Sequence, residues 1–288
     1  MFSNLIGADG YGLAIRRSLM NDSYRAFFCL TKEPFSTELT IKEILETPDL
    51  KGVKDRFDYA VRLGAVALVT GEIGSGKSTA LRYAAGHLHP SAYCALHVTA
   101  SSGSIIELYR QLLGELGIDT ASSSKAILTK RIRREITELV CGKKIRLVLV
   151  IDEASLLHQE VLAEIHTLCQ FEQDSKPWLP LIMAGQANLV DKLMYRASMP
   201  LASRIVARSH LEGVNHQDME VYLKHHLAIA GVKTPLFDET AVTAIHQGAG
   251  GLFRKANHLA RGALIAAAHD QSMTVSADHV RLAATEIF

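Results

Sequence analysis

The chain has 288 residues, 48% of them hydrophobic and 21% charged, and 31 Lys+Arg against 30 Asp+Glu give a net charge of +1. This length holds one large domain or two modest ones, and the composition excludes disordered, fibrous and disulfide-scaffold classes. Near-neutrality excludes an overall basic coat, so attraction to a polyanion has to come from a local patch.

The first twenty residues carry Asp9, Arg16 and Arg17 without an apolar run, which is not a signal peptide. Residues 11–20 form a short basic amphipathic pattern that suits either a partner-binding segment or a frayed cap. Short helical patterns and a turn at Glu33-Pro34 lead to Leu63. From Ala65 to Arg208, β-branched runs alternate with helical patterns, and strands are expected over 66–70, 94–98, 147–151 and 181–184. Each is an apolar run, as in a parallel sheet covered on both faces. Helices follow over 217–230, 238–248, 254–268 and 276–288, with Asp238 and Ser276 as N-caps. His225 and His226 are adjacent on the first of these and face different sides, a core or surface pair. The expected domains are an N-terminal extension over 1–50, an α/β base over 51–213 and a helical lid over 214–288.

Cys29, Cys94, Cys141 and Cys169 lie far apart without a CxxC, and the 13 His show no ligand spacing. Ordinary buried thiols in a reducing cytoplasm are expected instead. No window approaches the roughly 18 apolar residues of a spanning helix, so no membrane partner is expected.

Directly after the strand at 66–70, Gly71-Glu72-Ile73-Gly74-Ser75-Gly76-Lys77-Ser78 fits GxxxxGK[ST], and a helical stretch follows from Thr79. Glycines permit a tight loop whose N–H groups wrap phosphate oxygens, and the helix presents its positive N-terminus to them. Lys77 is expected to reach the β- and γ-phosphates, and the Ser78 hydroxyl to ligate Mg²⁺. The strand at 147–151 ends in Asp152-Glu153, the form of a Walker B segment. Asp152 suits the Mg²⁺ shell and Glu153 suits the base that polarises water for in-line attack on the γ-phosphate. The two segments together make Mg²⁺-dependent hydrolysis of ATP to ADP and phosphate the leading chemistry.

With these residues in place the chain resembles the AAA+ superfamily, in particular its ExeA-like branch and the related transposition helpers of the TnsC, TniB, IstB and MuB types, over roughly 27–268. The resemblance implies a P-loop AAA+ three-layer α/β sandwich with a parallel sheet, followed by a small helical lid. Phe27-Phe28-Cys29-Leu30-Thr31-Lys32-Glu33-Pro34-Phe35 is similar to the family's opening motif, where the aromatic pair either packs in the core or touches adenine. The stretch from Leu179 to Leu189 is similar to the family's "LVGQPEL" strand and turn, which implies a γ-phosphate sensor at Gln186, with Asn188 second and Ala187 in place of the usual proline. The segment from Leu201 to Arg208 is similar to "L..RI..R", which implies that Arg204, or Arg208 behind it, reaches the ATP of a neighbouring subunit; an ordinary surface ion pair is the alternative. Gly250-Gly251-Leu252-Phe253-Arg254-Lys255-Ala256-Asn257 is similar to "GGNPRLIN", which implies Arg254 as the sensor arginine and sets Phe253 where proline usually starts the helix. ATP and Mg²⁺ are the implied cofactors, and a homo-oligomeric ring or filament with a trans arginine is the implied assembly.

Between Lys125 and Arg146 lie eight basic residues against Glu135 and Glu138, while Leu128, Ile132, Ile136 and Leu139 recur at helical spacing. The basic face is either simply solvated or a track for the DNA backbone through Lys130, Arg131, Arg133 and Arg134. Thr99 and Ser101, in a Ser/Thr/Gly stretch after the second strand, are the other expected phosphate contacts. The expected function is an ATP-dependent oligomer that binds duplex DNA non-specifically and recruits or activates a transposase at its target. The alternative is an ExeA-like secretion or envelope-assembly ATPase. Typical ExeA proteins add a membrane segment and a peptidoglycan-binding region, and neither is seen in this sequence, which tilts the expectation toward DNA.

Overall fold

The computed structural model describes residues 24–287. The basic pattern at 11–20 lies outside them. Two compact units divide the described residues: Glu46–Glu212, and a second in which residues 24–45 cluster with those from Gly213 onward.

The first unit is a five-stranded parallel sheet. Its strands are β1 (Val66–Gly71), β2 (Tyr93–Thr99), β3 (Arg146–Asp152), β4 (Leu181–Gly185) and β5 (Ile205–Leu211), in the order β2-β3-β4-β1-β5. Its helices are α1 (Pro48–Leu63), α2 (Lys77–Gly86), α3 (Ile105–Glu115), α4 (Lys125–Thr137), α5 (Gln159–Ile165), α6 (Asn188–Met194) and α7 (Met199–Ala202). Leu68, Leu96, Leu149 and Met183 pack with Leu112, Ile132 and Leu162 of α3, α4 and α5. The alternate residues Ala67, Val69, Val150 and Ile182 are equally buried, on the side where α1 and α2 lie against β1 and β4. Coverage on both faces is why β1, β3 and β4 read as unbroken apolar runs. This three-layer arrangement is the α/β fold expected from the sequence.

The four expected strands are present, and β5 is a fifth that the sequence reading passed over. Ile205–Leu211 carries Arg208, Ser209 and His210, and its burial alternates because it is an edge strand with an open face. It lacks the continuous apolar signal of its neighbours.

The second unit comprises α8 (His216–Ile229), α9 (Glu239–Ala249), α10 (Phe253–His269) and α11 (Ala277–Ile287) around a core that includes Leu223, Ile245, Leu264 and Val280. Tyr24, Phe28, Leu30 and Phe35 belong to that same core. The described residues 24–45 are thus built into the helical unit. Asp238 caps α9 by accepting from the Ala241 N–H at 2.7 Å. Ser276 precedes α11 and donates its own N–H to His279 Nδ1. Phe253 opens α10 as its first residue, in place of the customary proline, and its ring packs 4.5 Å from that of Tyr222.

His225 and His226 divide as expected. His225 Nε2 meets the Glu43 carbonyl at 2.7 Å, whereas His226 is 3% exposed between Phe35 and Tyr222. Burial, followed by the neighbouring His225 and Lys32 charges, pushes the His226 pKa down to about 4. The expectation of buried thiols holds for Cys169 alone, pushed up to about 12 by burial. Cys29, Cys94 and Cys141 are exposed because they sit in a turn, on the edge strand β2 and in the short π-helical segment Glu138–Gly142 that follows α4. Among the described residues no group of His, Cys, Asp and Glu has metal-site geometry, and no helix is long and apolar enough to cross a membrane.

Candidate nucleotide site

All five strands are parallel, so their C-terminal ends share one edge of the sheet. β4 sets the register: Thr70 of β1 pairs with Gly185, and Ile151 of β3 with Met183. The ends of β1, β3 and β4 thereby bring the Gly71–Ser78 loop, Asp152-Glu153 and Gln186 to the same edge. This is where open parallel sheets bind ligands.

The loop is held by its own residues. Gly74 and Gly76 adopt φ of 87° and 97°, conformations that L side chains resist. At Gly71 a Cβ would lie 2.4 Å from the Leu211 carbonyl oxygen of β5 and 2.7 Å from Ser75 Oγ. Lys77, the first residue of α2, is 6% exposed, and its Nζ donates to the carbonyls of Gly71 (3.0 Å) and Glu72 (2.8 Å). Its ammonium is thus folded over the loop that its own helix N-terminus faces. Ser75 Oγ is buried and finds no hydrogen-bond partner among the described residues. An orphaned hydroxyl and a helix N-terminus in one glycine-rich loop suit a phosphate chain. Ser78 is exposed, Thr79 and Asp152 are half-buried, and the Ser78 hydroxyl and Asp152 carboxylate are hard oxygen donors of the kind Mg²⁺ takes.

Glu153 follows in the left-handed region, φ 52° and ψ 30°. Its N–H donates to Asp152 Oδ1 at 2.8 Å. A non-glycine residue there is strained and persists only when its surroundings enforce it. The following turn, Ala154–Leu156, is buried at Ala154 and Ser155. It lies so close to β4 that a Cβ on Gly185 would sit 2.8 Å from the Ser155 nitrogen. This contact has no local sequence signature beyond the glycine itself. Gln186 is half-buried and Asn188 exposed.

Arg204 lies away from this edge of the sheet. Arg204 pairs with Val66 at the start of β1, since its carbonyl accepts the Val66 N–H. That is the opposite edge of the sheet, where its guanidinium donates to Asp174 Oδ2 at 2.6 Å and holds that carboxyl below the usual range. Arg208 is exposed on β5. Arg254 is exposed in the first turn of α10, in the helical unit. Phe28 is a core residue of the helical unit, 3% exposed, and the half-buried Phe27 packs against it at 4.9 Å between ring centroids.

The basic face of α4 is largely engaged within the chain. Lys125 pairs with Glu164 at 2.9 Å, and Arg131 donates to Thr120 Oγ1. Arg133 donates to the Thr167 carbonyl and lies 5.4 Å over the Phe171 ring, while Arg134 pairs with Glu135. Lys130 is exposed. Thr99 is exposed and stands in register with Asp152, and the Ala100 N–H donates to the Asp152 carbonyl. Thr99 therefore borders Asp152, and the half-buried Ser101 follows two residues on.

The fold is that of the AAA+ ATPases, with a P-loop and an acidic strand end at one sheet edge. Residues 61–193 match the family model described as "AAA domain". The General secretion pathway protein A of Aeromonas hydrophila is 30% identical over 267 residues, 92% of this chain and 48% of that protein, so the chain spans about half of this relative. Among solved structures, Cdc6p from Pyrobaculum aerophilum superposes with TM-score 0.71 at 15% identity, covering 88% of this chain and 70% of that one. The Aeropyrum pernix ORC1 protein in complex with DNA gives 0.67 at 17% identity, covering 87% and 68%. The Thermotoga maritima RuvB Holliday junction branch migration motor gives 0.55 at 17% identity, covering 84% and 70%. At these identities the likeness speaks to fold.

Proposed function

We propose that this chain is an ATP-hydrolysing AAA+ module of the general-secretion A type, which uses hydrolysis as a conformational switch and assembles with copies of itself. The observation that carries the reading is the sheet edge where the Lys77 loop, Asp152, Glu153 and Gln186 meet. The Aeromonas relative supports the secretion class over the transposition-helper class.

In this reading the N–H groups of Gly74 to Ser78 and the Lys77 ammonium bind the β- and γ-phosphates of ATP. Lys77 then exchanges its two carbonyl partners for phosphate oxygens. Ser78 and Asp152 would hold Mg²⁺, which would neutralise charge on the phosphates. Glu153 accepts a proton from the attacking water as its oxygen bonds to the γ-phosphorus and the bond to the β-bridging oxygen breaks. Gln186 donates to the γ-phosphoryl oxygens, and Arg204 offset their charge from a neighbouring subunit.

The DNA reading has less support, because Arg131, Arg133 and Arg134 already have partners inside the chain. Phosphate release measured with and without Mg²⁺ tests the proposal. Lys77→Ala is expected to abolish ATP binding, and Glu153→Gln to bind ATP while turning it over about 100-fold more slowly, the scale of a lost general base. ATP affinity undiminished in Lys77→Ala would remove the site. Electron microscopy with an ATP analogue, with and without duplex DNA, separates the two classes: assembly indifferent to DNA supports the secretion type, and assembly that requires DNA returns the transposition reading to first place.

A further inference from the structure

Glu153 sits in a strained conformation, and the residue that secures the turn after it comes from another element. Lys192 of α6 is half-buried, and its Nζ donates to the carbonyls of Ser155 (2.6 Å) and Leu157 (2.9 Å). Both partners are backbone carbonyls of buried residues, Ser155 at 4% and Leu157 at 2% exposure. Buried carbonyls need donors, and an ammonium with three rotatable N–H groups serves two at once. The chain segment that starts at Glu153 is therefore pinned two and four residues downstream by one side chain.

α6 begins two residues after Gln186. Lys192 thus joins the exit of β3 to the exit of β4, beside the close approach of Gly185 to Ser155. A second link extends the brace. Gln159 Nε2 donates to the Lys192 carbonyl at 3.0 Å and to Ser198 Oγ. Ser198 is fully buried and immediately precedes α7, whose C-terminal end at Ala202 lies two residues before Arg204.

We infer that Lys192 is a positioning residue for hydrolysis: it holds the Glu153 turn in the geometry from which the carboxylate addresses water, and through Gln159 it ties that turn to the segment bearing Arg204. The inference rests on the reading of Glu153 as the general base. Its consequence is specific. The donors to Gly71 and Glu72 come from Lys77, not from Lys192, so loss of Lys192 leaves the phosphate-binding loop intact while Glu153 relaxes away from its strained φ.

The test uses the full chain carrying Lys192→Met, Lys192→Arg, Gln159→Leu or Glu153→Gln, with ATP affinity, kcat, KM and Tm measured for each. Lys192→Met is expected to bind ATP within about twofold of the parent and to lose kcat by about 10- to 100-fold, the scale of a small misplacement of a reacting group. Lys192→Arg should recover part of kcat, and Gln159→Leu should lower kcat less than Lys192→Met. A folded Lys192→Met protein with unchanged kcat, alongside a Glu153→Gln protein that has lost turnover, overturns the inference. Parallel loss of ATP affinity and kcat overturns it as well, since a general structural role behaves so. Where Lys192→Met does not fold, Lys192→Arg and Gln159→Leu decide: unchanged kcat in both overturns it. Normal turnover in Glu153→Gln removes the general base, a separate failure that takes this inference with it.

Discussion

The pH dependence of folding is where one buried side chain has a calculable effect. His226 lies 3% exposed in the helical unit, between Phe35 at 5.3 Å and Tyr222 at 4.4 Å. Burial comes first among the causes that bring its pKa down from 6.5 to about 4, with the His225 and Lys32 charges adding to it. The folded protein therefore keeps the ring neutral where the unfolded chain protonates it. Above pH 6.5 both states are neutral and the group has no effect. As pH falls through 6.5 the unfolded state gains a proton that the folded state refuses, and stability drops until the folded ring also titrates near pH 4. At about 1.36 kcal/mol per decade of pH the loss is about 2 kcal/mol at pH 5 and about 3 kcal/mol at pH 4. His226→Phe keeps an aromatic ring against Phe35 and Tyr222 and removes the titration. Urea unfolding of both proteins at pH 7, 5 and 4 should give curves that converge on His226→Phe being the more acid-resistant by these amounts. Carboxylates such as Glu43, held at about 2 by Lys32 and Thr40, titrate alike in both proteins and cancel in the difference. Parallel curves for the two proteins would refute the reasoning.

Other outcomes follow from single contacts. Gly71→Ala brings a Cβ 2.4 Å from the Leu211 carbonyl, so stability should fall by about 1–3 kcal/mol, and ATP affinity should fall with it; an unchanged Tm in a thermal melt would contradict the close approach. Neutralising Arg131, Arg133 and Arg134 together should lower Tm and leave duplex DNA binding unaltered, because these side chains serve the chain's own oxygens and the Phe171 ring. A salt slope lower by about three in a duplex titration would instead restore the DNA track. Asp174→Asn should raise ATP turnover at low protein concentration by freeing Arg204 from its partner. A fall in turnover to match Arg204→Ala would make Asp174 a support for the arginine rather than a restraint on it.

How much was legible in the sequence follows from the range of the interactions involved. β1, β3 and β4 are covered on both faces, so their apolar runs announce them, and the P-loop is contiguous because one turn has to present several N–H groups to one ligand. β5 was missed because an edge strand with one open face carries Arg208, Ser209 and His210 among its apolar residues. The Phe27-Phe28 pair was legible as aromatic and ambiguous in role, since core packing and ligand stacking ask for the same residue. Cys94 was misjudged because β2 is the other sheet edge and leaves it exposed. The Lys192 brace links residues 35 and 37 positions apart to carbonyls that every residue carries, so no pattern of side chains encodes it. The same holds for Arg204 and Asp174, which are 30 positions apart and meet through a turn in which Glu172, Gln173 and Asp174 all have positive φ.

The place of Arg204 in the sheet decides whose nucleotide it could serve. Its carbonyl accepts the Val66 N–H at the start of β1, whereas the phosphate loop begins at Gly71, the last residue of that strand. Five residues of parallel strand span about 16 Å, further than an arginine side chain extends. If Arg204 acts on a phosphate at all, that phosphate belongs to another copy of the chain, and turnover per subunit must depend on protein concentration. Wild-type turnover should rise with concentration, and Arg204→Ala should stay flat and low, by about 1,000-fold for a full arginine finger. Mixing Arg204→Ala with Lys77→Ala should restore turnover, because one protein supplies an intact loop and the other an intact arginine. Folded mixtures that recover nothing, with wild-type turnover independent of concentration, would leave Arg204 as the partner of Asp174 and no more.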